Sequence, residues 1–214
     1  MPRSPRRPNL GIAIRAVMRD AARRIPELSK LDPSRILVVA GEARRASRAT
    51  VRPLRFACSG DRISADGKRA KPVVQIRGRR MLYVVTFRPR FFLQASPEKR
   101  VETILHELWH ISPDFDGTLD RQRRHSSLPG GLFREQFRPV VERYLEQMPE
   151  ALLDGLSHDG EVIMRQWIER PAPFFPIDEA GANRSGRRPL FTEAQLFYGP
   201  LKMVTRRPRK RTRY

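Results

Sequence analysis

The stretch SPEKRVETILHELWHIS, from Ser96 to Ser112, constrains the chain more than any other. Its apolar residues Val101, Ile104, Leu105, Leu108 and Ile111 recur at helical spacing and gather in one stripe, which should face the core. Ser96 is a good N-cap, Pro97 fits the first helical position, and Glu98 complements the positive end of the helix dipole. Pro113 disfavours a helical conformation in the residue before it. The pattern therefore predicts a helix that starts near Ser96 and stops near Ser112.

Opposite the apolar stripe lie His106 and His110, four residues apart and so one turn apart on the same side. At about 100° per residue they point away from the core, toward solvent, a cleft or another layer. Two imidazoles so placed can reach one tetrahedral ion at about 2.0–2.1 Å each. Glu107, beside the first histidine, is placed to polarise a metal-bound water and take its proton. This is the H-E-x-x-H logic of zinc hydrolases, in which zinc brings the pKa of its water to about 7. The expected cofactor is Zn2+, with Glu107 as the catalytic base.

A catalytic zinc needs three protein ligands and one open position. His125 follows soon after the helix and is the favoured third ligand, because its imidazole suits zinc and it needs only a loop that returns to the helix. Asp116 comes second. It stands where one group of zinc proteases places its last ligand, but Pro113 occupies the glycine position of that motif and cannot supply the glycine turn. Asp120, in GTLD, comes third. Asp114, Asp116 and Asp120 also suit turn and capping roles around Gly117, and Asp114 or Asp116 could orient a ligand imidazole.

The rest of the chain reads as a mixed α+β domain. Helical spacing runs from Leu10 to about Leu28, ILVVAG from Ile36 is a strand, and VVQIRG and MLYVVTFRPRFF are further strand candidates. Residues 58–72 read as a loop or hairpin tip. LFREQFRPVVERYLEQMPEALLDGL reads as one or two helices, with Pro139 and Pro149 as breaks or first-turn positions, and residues 160–171 as a strand. The expected organisation is a basic disordered tail over 1–9, one domain over 10–172, and a Pro/Arg-rich, mostly disordered basic tail over 173–214.

Charge bears on partners. The formal charge is +20, carried by 43 basic against 23 acidic residues, and only six of the basic residues are lysine. Such a field attracts polyanions, so non-specific nucleic-acid binding through the basic tails is a second reading, with a structural or vestigial zinc site. Cys58 is the single cysteine. It excludes an intrachain disulfide or a cysteine-built zinc site and fits a reducing, cytoplasmic setting. No apolar run approaches the roughly 20 residues of a membrane span, and the N-terminus lacks the apolar segment of a secretory signal.

RVETILHELWHISPDFDGTL, with the downstream RRHS, resembles the phage-type metallopeptidase family. LDPSRILVVAGEARR, RRMLYVVTFRP and DGEVIMRQWIERP extend the likeness over roughly Leu10 to Pro171. The resemblance implies a small zincin-like fold with the metal helix packed on a short mixed sheet. It also implies His106, His110 and His125 as ligands and Glu107 as base; it does not supply the substrate, which for a zinc peptidase is expected to be a peptide or protein. By analogy with such folds, MLYVVTFRP would be the sheet edge beside the cleft, where a peptide adds as an extra strand. Tyr83 and Arg88 would then be candidate oxyanion or substrate contacts, although strand packing and surface charge suit them better.

Overall fold

A computed structural model describes residues 8–41, 48–54, 69–70, 73–88, 94–123, 132–158, 162–164, 175–176, 190–191 and 202–204. The helices are α1 (Leu10–Arg24), α2 (Pro97–Trp109), α3 (Leu132–Gln147) and α4 (Glu150–Asp154). The strands are β1 (Ile36–Ala40), β2 (Ala49–Pro53), β3 (Arg69–Ala70), β4 (Val73–Ile76), β5 (Arg79–Arg80), β6 (Tyr83–Phe87), β7 (Val162–Met164), β8 (Phe175–Pro176), β9 (Leu190–Phe191) and β10 (Lys202–Val204). The fold is mixed α+β around a small mixed sheet of order β1-β6-β2, with β1 parallel and β2 antiparallel to β6. Of the stretch 173–214, three short pieces are paired strands, and β10 runs antiparallel to β7.

The sheet is covered on both faces, which is why β1 reads as an unbroken apolar run. Ile36, Val38, Tyr83, Val85 and Phe87 join the main core with α1 and α2, while Leu37, Val39, Met81 and Val84 pack on the other side. α1 contributes Leu10, Ile14, Val17, Met18 and Ala21, all buried. Each of the larger of these side chains stabilises the fold by about 1.5–3 kcal/mol.

Two readings need correction. Tyr83–Phe87 is the central strand, paired on both sides by β1 and β2, so it has no free edge for a peptide. The edge that meets α2 is β2, within an arginine-rich stretch that hides its alternation of buried Ala49 and Val51 with more exposed Thr50 and Arg52. Pro139 is no break. It lies inside α3 on the exposed side, and Pro149 separates α3 from α4. The expected loop over 58–72 falls mostly outside the described residues, as does the strand over 160–171 except for β7.

β4 and β5 form a hairpin whose central residues Arg77 and Gly78 have φ of 50° and 73°. Two positive φ values in a two-residue loop mark a type I′ turn, where Asn-Gly is the usual pair.

α2 is buried along most of its surface, and three of its polar residues, Arg100, Thr103 and Glu107, are buried with it. Arg100 is 2% exposed, and its guanidinium donates to the carbonyls of Leu156 and His158, which ties the end of α4 to the first turns of α2. Arg100→Leu should therefore lower stability by roughly 2–3 kcal/mol, because it removes charged hydrogen bonds and strands two carbonyls. Urea unfolding measures this; a loss under about 1 kcal/mol would show that the tie is incidental.

Candidate metal centre

Ser96 caps α2 as expected, with its hydroxyl accepting from the Lys99 amide at 3.3 Å. The apolar stripe is buried throughout. The helix stops at Trp109 rather than near Ser112, because the backbone beyond it is recruited elsewhere. Ile111 bridges Leu119 in antiparallel fashion, the Ser112 amide donates to the Thr118 carbonyl at 3.1 Å, and the Asp120 amide donates to the His110 carbonyl at 2.9 Å. An orphan carbonyl at the helix end is thus satisfied by the chain turning back on it.

The turn is built from FDGT. Phe115 and Gly117 have positive φ, 50° and 90°. The Phe115 ring is buried 5.2 Å from that of Tyr83. The Tyr83 hydroxyl accepts from the Gly117 amide at 2.8 Å and donates to the Thr118 carbonyl at 2.9 Å. Tyr83 is wholly buried, so it acts as a clamp on this turn and not as a substrate contact. Arg88 continues the β2–β6 ladder, its amide donating to the Arg48 carbonyl.

His106 and His110 are half-buried, and the layer they face is α3. Phe133 stacks on His110 at 5.4 Å and lies 5.1 Å from His106, while Phe137 lies 5.5 Å from His106. The two Nε2 atoms converge to 3.2 Å. Two ligands at about 2.0–2.1 Å on a tetrahedral ion stand about 3.3–3.4 Å apart, so the pair matches that demand closely. His110 Nδ1 is 2.7 Å from the Arg123 carbonyl. A carbonyl only accepts, so Nδ1 carries the proton and, in the neutral ring, Nε2 is left with its lone pair.

Arg123 is itself held in place. Its guanidinium lies 3.9 Å over the Trp109 ring, and its Nε is 3.3 Å from Asp120 Oδ2. The indole Nε1 of Trp109 is buried without a hydrogen-bond partner among the described residues.

Glu107 is 6% exposed. Burial pushes its carboxyl up to about 7, against the opposing pull of a hydrogen bond from the Val51 amide. The hydrogen bonds at Leu54–Leu82 and Arg88–Arg48 set the ladder's alternation, which turns the Ala49 and Val51 amides outward from β6. The outward Val51 amide is the one that meets Glu107. Sequence reading missed Val51 as a site residue. Its only signal was a short alternating run among arginines.

The other candidates are placed as follows. Asp116 Oδ1 accepts from the Thr118 amide and hydroxyl at 3.0 and 2.8 Å. Burial acts to raise its pKa, but hydrogen bonds from Thr118 and Ser112 outweigh it and hold the carboxyl low. Asp120 Oδ1 accepts from the Gln122 amide at 2.8 Å. Asp114 pairs with Lys30 at the exposed surface. Among the described residues no third His, Cys, Asp or Glu joins His106 and His110 in a metal-holding group. His125 lies outside the described residues.

A family model described as "Putative phage metallopeptidase" matches residues 12–157 of the chain. No curated protein and no solved structure matches it.

The clamp can be tested directly. Tyr83→Phe keeps the ring but loses both hydroxyl bonds, and should cost about 1–3 kcal/mol. The amides of Gly117 and Asp120 should then lose hydrogen-exchange protection together. Unchanged protection at Asp120 would mean that the turn does not hold the returning segment against His110.

Proposed function

Because the chain belongs to the putative phage metallopeptidase family, matched over residues 12–157, we propose that it is a zinc-dependent peptidase of zincin-like fold. In this reading His106, His110 and His125 hold the ion and Glu107 is the general base. The observation that carries it is the 3.2 Å convergence of the two Nε2 atoms, with the His110 tautomer set by the Arg123 carbonyl. His125 follows Arg123, whose carbonyl meets His110, by two residues in the sequence. Asp116 and Asp120 fit less well, since their carboxylates already accept hydrogen bonds that build the turn and the segment after it.

Zinc bound there would supply a Lewis acid and a water acidic enough to ionise near neutrality. The chain's own groups account for the rest. A carboxyl with a pKa of about 7 can take a proton and give it up again at neutral pH, as amide hydrolysis requires of Glu107. The Val51 amide steadies that carboxylate. Phe133 and Phe137 fix the imidazole rings and keep water off their faces. The substrate class is a peptide or protein.

Zinc content and hydrolysis of an unstructured protein substrate test the proposal together. Wild-type protein from zinc-replete medium should carry one zinc per chain, and His106→Ala or His110→Ala should lose it. Glu107→Gln should keep the metal while hydrolysis falls by about 10²–10⁴-fold. His125→Ala should lower zinc content, whereas Asp116→Ala and Asp120→Ala should retain it. A zinc-free wild type rejects the reading. Retention by His125→Ala with loss in an aspartate variant reassigns the third ligand.

A further inference from the structure

One short stretch, Asp120 to Arg123, grips His110 at two points. The Asp120 amide donates to the His110 carbonyl at 2.9 Å, and His110 Nδ1 donates to the Arg123 carbonyl at 2.7 Å. The second contact depends on where the Arg123 peptide sits. Tyr83 fixes the chain only as far as Gly117 and Thr118. Arg121 and Gln122, which lead from Asp120 to Arg123, are exposed. Holding the Arg123 carbonyl in one place after such a run costs backbone entropy, so it needs an anchor of its own.

The Arg123 side chain has the contacts of such an anchor. Its guanidinium lies 3.9 Å over the Trp109 ring, which attracts a cation to its face. Its Nε is 3.3 Å from Asp120 Oδ2, and both side chains of this pair are only about one-sixth exposed, at 16% and 15%, so salt and water screen it less than an open surface pair. Asp120 Oδ1 accepts from the Gln122 amide, which closes the stretch on itself. Trp109 immediately precedes His110 in the chain and is buried, with its ring 6.0 Å from that of Phe137. Arg123 is therefore fastened to the same helix end whose histidine its carbonyl orients.

We propose that Trp109, Asp120 and Arg123 are positioning residues for the metal: the Arg123 guanidinium, held between the Trp109 ring and the Asp120 carboxylate, places the carbonyl that fixes His110. The three side chains act through His110 and not on the ion. The proposal rests on the zinc reading of His106 and His110, and it gives the second variable residue of H-E-x-x-H a part in that centre. Charge alone predicts the opposite effect of losing Arg123. A guanidinium near a dication repels it, so removing the cation would on that ground tighten zinc binding. Weaker zinc binding without Arg123 therefore reports lost positioning.

The test uses the full chain, stripped of metal. Zinc affinity is measured by competition with a chromophoric chelator. The His110 tautomer is read from imidazole nitrogen shifts of the metal-free protein at about pH 8.5, where an unperturbed imidazole is neutral. Arg123→Ala should bind zinc about tenfold more weakly, as for loss of a partner that orients a ligand, while still filling at zinc excess. Its His110 should change from the Nδ1–H form to a mixture of both tautomers. Arg123→Gln keeps most of the stem without the cation and should show the same two changes, which keeps the test open if the alanine variant does not fold. Arg121→Ala removes the same charge from an exposed neighbour and should leave both readouts at wild-type values. Wild-type affinity and tautomer in the folded Arg123 variants would overturn the proposal, as would equal losses in Arg121→Ala or weaker zinc binding with the tautomer unchanged. A wild type that binds no zinc rejects the peptidase reading instead, and the tautomer of the metal-free protein still decides whether Arg123 positions the ring.

Discussion

Polar groups on a helix buried along most of its surface must find partners within the protein, and the architecture around α2 follows from that requirement. Arg100 takes the carbonyls at the end of α4, the Thr103 hydroxyl donates to the Lys99 carbonyl, Glu107 takes the Val51 amide of β2, and His110 takes the Arg123 carbonyl. Three of these four partners lie on segments distant in sequence. The same contacts that satisfy the helix therefore draw the strand edge, the returning loop and the segment after α4 against it. Trp109 Nε1 is the exception among the described residues.

The centre is organised in two tiers. One tier is local: two imidazoles one turn apart, whose spacing the helix itself guarantees. The other is remote. Tyr83, on the central strand, fixes the FDGT turn through its hydroxyl, and the turn sends the chain back along the helix end as far as Arg123. Arg123 then sets the tautomer of His110 through its backbone and lies over Trp109 through its side chain. FDGTL, which belongs to the stretch that carries the family resemblance, thus has a mechanical meaning. It supplies the positive-φ positions and the side-chain acceptor that the reversal needs.

Charge is arranged with similar economy of place. The histidine pair is walled by aromatic rings from α3, while arginines of α1 and of the β4–β5 hairpin line a separate cavity. Among the described residues, none that lines the arginine cavity belongs to the centre that holds the buried, weakly acidic Glu107.

Much of this was legible in the chain. The N-cap, the apolar stripe and the opposed histidines of α2 depend on interactions three or four residues apart, and α1 and β1 announce themselves by their apolar periodicity. What sequence could not supply was every relation between distant segments. An antiparallel β2 hidden among arginines, the central rather than edge position of Tyr83–Phe87, and the helix end at Trp109 all arise from long-range hydrogen bonding. Local pattern encodes the conformational preference of a segment. Which buried amide meets which carboxylate is decided only when separate elements must satisfy one another's polar groups in the core. The pairing of Val51 with Glu107 and of Arg123 with His110 belongs to that second kind of information.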